Sequence, residues 1–149
     1  GALFPLIAVA VSLNLLLAEH RIPNQIIAFM TEHVHNETVF LLLTNVMLLL
    51  IGCFMDTASA IAITAPLLKP LAHAYGVDST HLGVIIVLNL EIGILTPPLG
   101  LNLIVAMTAF KENFGLVCRA AIPFVLLMIL CLLLVTFQPW IAMALVGSR

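Results

Sequence analysis

Long uncharged runs alternate with short polar interruptions along this sequence. Asp, Glu, Lys and Arg are absent from residues 1–18, 38–55, 57–68 and 120–148, and Glu91 alone interrupts residues 82–110. A helix that crosses a bilayer needs about 20 apolar residues, and at least about 17. The pattern therefore predicts a membrane helix at 1–18 and a terminal membrane helix at 117–145.

The polar residues after the first run predict a different kind of element. Residues 19–37 combine charged and histidine side chains with apolar positions such as Ile26, Ile27 and Phe29. This mixture is typical of an amphipathic helix that lies along the membrane interface. We therefore expect an interfacial arm at 19–37, and a solvated connector helix is the alternative.

Asp56 stands between two apolar runs that are short for a membrane crossing. One straight helix over residues 38–68 would place this carboxylate deep in hydrocarbon, at a cost of about 2.5–3.5 kcal/mol. The first arm, residues 38–52, would be about 22 Å long, whereas the hydrocarbon core is about 30 Å thick. We therefore predict a re-entrant helical hairpin over 38–72, with an irregular tip at 52–59 that lies inside protein. Asp56 is expected to cap the returning arm.

A double proline interrupts the next apolar run, where residues 91–102 read EIGILTPPLGLN. Proline has no backbone N–H. Pro97 and Pro98 should therefore leave the carbonyl oxygens of Gly93 and Ile94 without their helical donors. In hydrocarbon each unpaired carbonyl would cost several kcal/mol, so something other than lipid must satisfy them.

The sequence thus predicts a broken helix over 81–110 with a candidate cation site at its break. Unwound carbonyls of discontinuous helices coordinate Na⁺ in membrane transporters. Thr96 adds a hydroxyl next to the prolines, and Asp56 would supply the negative charge from the hairpin. The alternative is a proline kink whose carbonyls are satisfied by Thr, Ser or water.

Three other polar residues within apolar runs are weaker candidates. Asn45 and Asn102 are each expected to form an interhelical hydrogen bond before they act as ligands. Glu91 is an intramembrane carboxyl one turn before the break, and a proton or cation role is open to it.

Composition supports a membrane protein. The chain has 149 residues, of which 63% are hydrophobic and 8% are charged, whereas a soluble domain has about 25% charged residues. The net charge of −2 is too small to indicate a nucleic-acid partner. The expected fold is therefore an all-α integral membrane protein with transmembrane helices, a re-entrant hairpin and a broken helix. Because the chain opens at Gly1 in hydrophobic sequence, we expect it to be part of a longer protein.

Four motifs in a fixed order resemble one transporter family. They are Asn45-x6-Gly52-x3-Asp56, then Pro66-x3-Pro70, then the segment from Gly76 to Gly83, then the segment from Asn89 to Leu103. This set resembles the C-terminal part of the large, DctM-like permease subunit of tripartite ATP-independent periplasmic (TRAP) transporters. The resemblance covers residues 38–145.

The resemblance implies the second half of an inverted-repeat, elevator-type transporter that crosses the bacterial inner membrane several times. Its activity would be Na⁺-coupled import of C4-dicarboxylates or similar organic or sugar acids. Its partners would be a small membrane subunit (DctQ-like), a periplasmic solute-binding protein (DctP-like) and the lipid bilayer. No enzymatic activity is expected, and no cofactor beyond Na⁺ as the coupling ion. The first repeat is missing from this sequence.

The resemblance also places the second hairpin tip at Gly52–Ser59 and the second helix break at Gly93–Gly100. The expected ion- and substrate-binding residues are Asn45, Gly52, Asp56, Thr57, Ser59, Gly93, Thr96, Pro97, Pro98 and Asn102. Na⁺ itself is expected at Asp56, Gly93, Ile94 and Thr96.

Three other interpretations compete with this one. A secondary transporter of the same broad superfamily would share the hairpin and the broken helix, but Asp56-Thr57-Ala58 differs from the Ser-Asn-Thr tip of its dicarboxylate–sodium branch. An intramembrane aspartyl protease needs two membrane aspartates, one of them in Gly-x-Gly-Asp, and this sequence has neither feature. A membrane scaffold without a solute path would not need two helix breaks.

Overall fold

The computed structural model describes residues 12, 16, 19, 28, 29, 32–98 and 100–144. Within this part the chain is helical or in turns, and none of it is in a strand. The helices with defined bounds are α1 (Glu37–Phe54), α2 (Thr57–Ala74), α3 (Ser79–Gly93), α4 (Leu101–Phe110), α5 (Phe114–Phe137) and α6 (Pro139–Met143). Of these, α1 and α5 are long and apolar enough to cross a membrane by length and composition. The all-helical class predicted from sequence is confirmed for the described residues.

The predicted membrane helix at 1–18 and most of the predicted interfacial arm at 19–37 lie outside the described residues. The last residues of that arm do have defined structure. The Asn36 side chain accepts a hydrogen bond of 3.0 Å from the Thr38 N–H and so caps the start of α1. The polar sequence before residue 38 therefore ends at a capped helix start.

The first arm of the hairpin is longer than predicted, and its tip is shorter. α1 has 18 residues, about 27 Å at about 1.5 Å per residue, and Gly52 remains helical. Only Met55 and Asp56 lie between α1 and α2, instead of the irregular tip predicted over 52–59. The reason is the cap that Asp56 provides, because its Oδ2 accepts the Ser59 N–H at 2.9 Å and lets α2 begin at once.

α1 and α2 meet at both of their ends, so they form a helical hairpin. At the closed end they are joined by Met55 and Asp56. At the open end the rings of Phe40 and Tyr75 stack with their centroids 4.5 Å apart, and the Tyr75 hydroxyl donates to the Val34 carbonyl at 2.8 Å. The hairpin extends to Ala74, beyond the predicted end at 72, because buried residues hold the last turn of α2 in the core.

α3 holds the two arms of the hairpin together. Both α1 and α2 pack against α3 more extensively than against each other. The buried core between them is formed by Phe40, Leu48, Ala60, Leu68, Ile85 and Leu90, among others. Burial of such side chains is worth about 1.5–3 kcal/mol each in water, but in a bilayer close packing has to supply the attraction.

The closest approach of α1 and α3 is a contact between two glycines. A Cβ atom added to Gly93 would lie 2.6 Å from the Cα atom of Gly52, and one added to Gly52 would lie 3.1 Å from the Cα atom of Gly93. Real Cβ atoms do not approach other atoms to 2.6 Å, so no larger residue fits at Gly93 without displacing a helix. Small residues allow this kind of backbone contact between membrane helices.

The predicted broken helix and terminal helix are both present, with changed bounds. α3 and α4 are separated by residues 94–100, and α4 begins after Gly100, which has a left-handed φ of 47°. The terminal helix α5 starts at Phe114 and ends at Phe137 rather than running over 117–145, whose last residue lies outside the described residues. Gln138 is non-helical because it precedes Pro139, and residues before proline avoid the α region.

The glycine contact gives a prediction with a control in the same helix. We expect Gly93→Ala to lower the stability of the purified full-length protein by about 1–3 kcal/mol, because the added methyl group overpacks the contact with Gly52. Gly83→Ala, also in α3, has no atom within 4 Å of its new Cβ. It should leave stability unchanged or raise it by about 0.5–1 kcal/mol. Thermal unfolding in detergent measures both, and equal midpoints for the two variants would contradict the contact.

Candidate functional site

The hairpin tip and the helix break, which are remote in sequence, lie side by side in the structure. Gly52, near the end of α1, contacts Gly93 at the end of α3. Thr57, the first residue of α2, donates a hydrogen bond of 3.2 Å from its hydroxyl to Glu91 Oε1 on α3. Both contacts lie within three residues of the break that begins at Ile94. The two predicted halves of the site are therefore brought together.

The hairpin tip presents backbone oxygen atoms. The carbonyl groups of Gly52, Cys53, Phe54 and Met55 accept no backbone hydrogen bond from another described residue. They are the last carbonyls of α1, which helix geometry leaves without internal donors. The carboxyl group of Asp56 follows directly, and it is exposed on the described chain while one of its oxygens caps Ser59.

The carbonyls at the break are paired differently from the prediction. Gly93 O accepts the Thr96 N–H at 2.9 Å, and Ile94 O accepts the Asn102 N–H at 3.2 Å. The expectation that both oxygens are left free is therefore wrong. The chain makes a tight turn after α3 that brings the Thr96 N–H to Gly93 O. The start of α4 lies close enough to the end of α3 for the Asn102 N–H to reach Ile94 O. Each of these carbonyls keeps a second lone pair.

The unpaired carbonyls of the break lie further along the chain. Those of Leu95, Pro97 and Pro98 accept no hydrogen bond from another residue that the structure describes. The Thr96 hydroxyl, a predicted ligand, donates to Ile92 O at 2.7 Å, which leaves its own oxygen lone pairs available. The peptide bond between Pro97 and Pro98 is cis.

The C-termini of two helices meet at this place, next to the N-terminus of α2, which Asp56 caps. α1 and α3 run in the same direction, and both end beside the Gly52–Gly93 contact. The C-terminus of each helix carries the equivalent of about −0.5 elementary charge. Together with the Asp56 carboxyl group and the free carbonyls, this favours a hard cation that binds oxygen atoms. Among the described residues no group of three or more His, Cys, Asp or Glu side chains could hold a metal ion by itself.

One of the predicted site residues, Asn45, lies away from this place. The Asn45 side chain, two turns before Gly52 in α1, donates to Thr136 Oγ1 of α5 at 3.0 Å and accepts from Asn89 Nδ2 of α3 at 2.7 Å. It therefore joins three helices in a buried network. Asn102 is exposed in α4, and its backbone N–H is the group that reaches Ile94.

Sequence reasoning did not place Glu91 and Asn89 in any contact. Glu91 carried a signal, as a carboxyl inside an apolar run, but its partner Thr57 is 34 residues away. Asn89 is completely buried, and its Oδ1 has no hydrogen-bond partner among the described residues. The feature of the sequence that could have pointed to Asn89 is a polar amide side chain within an apolar run, one helical turn before Gly93.

A cleft of about 260 Å³ lies between the break and α5, but its walls are almost entirely apolar. Thr96 is the polar residue in a lining otherwise made by Leu95, Pro97, Cys118, Ala121, Ile122, Val125 and Leu126. None of the described residues that line this cleft has a cationic side chain. The polar chemistry of the region is on the side of the hairpin tip.

Comparison with known proteins gives consistent matches. Residues 1–141 match the family model described as "Tripartite ATP-independent periplasmic transporter, DctM component". The chain is 42% identical over 137 residues to the C4-dicarboxylate TRAP transporter large permease protein DctM of Vibrio cholerae, covering 92% of this chain and 30% of that protein. It is 38% identical over 126 residues to the isethionate TRAP transporter permease protein DctMQ of Oleidesulfovibrio alaskensis, covering 85% of this chain and 20% of that protein.

A third relative has a different named solute. The sialic acid TRAP transporter large permease protein SiaM of Vibrio cholerae is 34% identical over 124 residues, covering 83% of this chain and 29% of that protein. The chain thus spans about 30% or less of the length of these relatives. The family model nevertheless matches nearly all of the chain. The chain therefore belongs to the family of DctM components of tripartite ATP-independent periplasmic transporters.

Proposed function

We propose that this chain is part of the membrane permease of a Na⁺-coupled importer of organic acids. The observation that carries the proposal is the meeting of the hairpin tip with the helix break at the Gly52–Gly93 contact. Paired interruptions in membrane helices, with carbonyls for a cation, are characteristic of secondary transporter sites. Na⁺ would lie among the carbonyls of the tip and the break, close to Asp56.

An acid group of the solute fits the start of α4. Gly100 caps this helix without a side-chain hydrogen bond. The N–H group of Leu101 donates to no backbone carbonyl of a described residue, whereas those of Asn102 and Leu103 are paired with Ile94 O and Gly100 O. A helix N-terminus carries the equivalent of about +0.5 elementary charge and binds anionic groups. The relatives named for C4-dicarboxylate, isethionate and sialic acid all have solutes with an acid group, which supports the same class here.

The remaining parts of the proposal concern the longer protein. The hairpin would be re-entrant, and it would belong to the second of two inverted repeats that move by an elevator mechanism in the bacterial inner membrane. A small membrane subunit and a periplasmic solute-binding protein would complete the transporter. This follows the family, whose description names a tripartite periplasmic transporter.

The topology of the hairpin can be tested by labelling. Thr38 and Lys69 are both exposed near the open end of the hairpin. If the hairpin is re-entrant, single cysteines at these two positions should react with a membrane-impermeant maleimide from the same side of the membrane. The background protein must lack the native thiols, which in this chain are Cys53, Cys118 and Cys131. Reaction from opposite sides would show that α1 crosses the membrane and would reject the re-entrant hairpin.

The charge of Asp56 gives a second test. Asp56→Asn should weaken Na⁺ binding about tenfold, or by about 1.4 kcal/mol, because the amide retains the cap on Ser59 but has no negative charge. Asp78→Asn is the matched control, since Asp78 caps α3 in the loop before that helix. The hydrogen bond from the Thr80 N–H lowers the pKa of Asp78, so the control also removes a charge at neutral pH.

The measurement is the Na⁺ concentration that gives half-maximal solute uptake by the complete transporter in proteoliposomes. Asp78→Asn should leave this concentration unchanged. If Asp56→Asn has the same half-maximal Na⁺ concentration as the parent, the charge of Asp56 does not contribute to Na⁺ binding, and its role is to cap α2.

The double proline gives a third test. Replacing Pro97 and Pro98 together with alanine supplies two N–H groups and removes two residues that each cost about 3 kcal/mol in a helix interior. α3 should then extend through the break. The carbonyl groups of the break should then accept helical hydrogen bonds and no longer be available to a cation. We expect unchanged or raised thermal stability together with a loss of Na⁺ affinity of at least about tenfold.

Pro70→Ala in α2 is the control for this test, because Pro70 also lies inside a helix but near the open end of the hairpin, away from the break. It should leave Na⁺ affinity unchanged. A folded Pro97→Ala, Pro98→Ala variant that binds Na⁺ as tightly as the parent would show that the break does not form the site.

A further inference from the structure

We propose that Glu91 is a positioning residue for the cation site, and that it acts by holding the proton of the Thr57 hydroxyl away from the hairpin tip. This inference rests on the function proposed above. It assigns a role to a carboxyl group that lies beside the tip but was not among the expected ligands.

Glu91 places a carboxyl group in a largely apolar helix. It lies half-buried in α3 between the buried residues Leu90 and Ile92 and two residues before the Gly93 contact. No cationic side chain forms an ion pair with it within the described chain, and its contact there is the hydroxyl of Thr57 at 3.2 Å. A carboxyl group in an apolar helix is costly, and such residues usually mark a functional site.

Thr57 differs from the other described threonines whose hydroxyl groups donate hydrogen bonds. The hydroxyls of Thr64, Thr96, Thr108 and Thr136 each donate to the carbonyl oxygen four residues earlier in the chain. For Thr57, the first residue of α2, the residue four positions earlier is Cys53 at the end of α1. Met55 and Asp56 are extended between the two helices, so the Cys53 carbonyl does not lie one helical turn below Thr57, and the Thr57 hydroxyl donates across to α3 instead.

Glu91 fixes the direction of the Thr57 hydroxyl group. A hydroxyl group has one proton and two acceptor lone pairs. Because the proton of Thr57 is directed to Glu91 Oε1, it does not occupy a tip carbonyl, and the lone pairs of Thr57 Oγ1 are directed away from Glu91. The tip thus keeps its carbonyl oxygens, and Thr57 adds a further oxygen next to Asp56. Without Glu91, the hydroxyl would be free to turn toward the tip and compete with the cation.

A purely structural role is the competing explanation. The Thr57–Glu91 bond also ties the start of α2 to α3, so its loss could lower stability without changing the cation site. The two roles differ in what they change: a positioning role changes Na⁺ affinity, and it does so only through Thr57. A double-mutant cycle separates them, because residues that act through one interaction show non-additive effects.

The experiment uses the complete transporter in proteoliposomes and measures two quantities, the half-saturating Na⁺ concentration for uptake and the thermal midpoint. We expect Glu91→Leu and Thr57→Val each to raise the half-saturating Na⁺ concentration about tenfold. The double variant should be no worse than either single variant. Thr57→Ser restores a hydroxyl and should recover most of the affinity lost in Thr57→Val. Thr108→Val is the control, since Thr108 is exposed near the end of α4 and its hydroxyl donates within that helix.

Each outcome decides the proposal. If the two single effects add in the double variant, or if Glu91→Leu lowers the thermal midpoint without changing the half-saturating Na⁺ concentration, the positioning role is wrong. If Glu91→Leu does not fold, Thr57→Val still tests the inference, because unchanged Na⁺ dependence in that variant overturns it. A parent transporter with no Na⁺ dependence overturns the proposed function and this inference together, whereas a Na⁺-dependent parent with unaffected Glu91 and Thr57 variants overturns this inference alone.

Discussion

The close contact between Gly52 and Gly93 is the constraint on which the rest of this structure depends. Because neither residue has a side chain, the backbones of α1 and α3 approach until a Cβ atom on Gly93 would lie 2.6 Å from Gly52. Because this contact lies at the end of both helices, it also determines that the segments following α1 and α3 lie next to each other. The hairpin tip follows Gly52 within three residues, and the break follows Gly93 directly. Two interruptions of helical structure are thereby gathered at one place.

Gathering them concentrates polar backbone groups in an apolar protein. Two helix C-termini meet beside the glycine contact, where their final carbonyls add negative potential to the carboxyl groups of Asp56 and Glu91. The start of α2 is stabilised there by the Asp56 cap. At the other end of the break the N–H group of Leu101, the first residue of α4, has no backbone acceptor among the described residues. Such an arrangement would be unfavourable against hydrocarbon. Carbonyl oxygens in such a place are complemented by a cation, which is the basis of the function proposed above.

A second polar element, away from this place, controls how the helices are rotated. Asn45, Asn89 and Thr136 form a buried chain of hydrogen bonds that joins α1, α3 and α5. Polar contacts between membrane helices are specific in direction, whereas apolar packing tolerates rotation. Since Asn89 lies one turn before Gly93 and Asn45 two turns before Gly52, this network holds the glycine faces toward each other. Asn45 therefore fixes the relative position of the helices that carry the glycine contact.

The amino-acid sequence by itself determined the helical membrane class, the order of hairpin and broken helix, and the two places where helices are interrupted. Hydrophobic runs, prolines and a capping aspartate act locally, so their effects are readable along the chain. The tertiary structure alone decided which oxygens are free, since Gly93 O and Ile94 O find partners in Thr96 and Asn102 through the way the chain folds back. It also decided that Glu91 meets Thr57 and that Asn45 meets Asn89. These pairings depend on how helices far apart in sequence pack, and no local pattern encodes that packing.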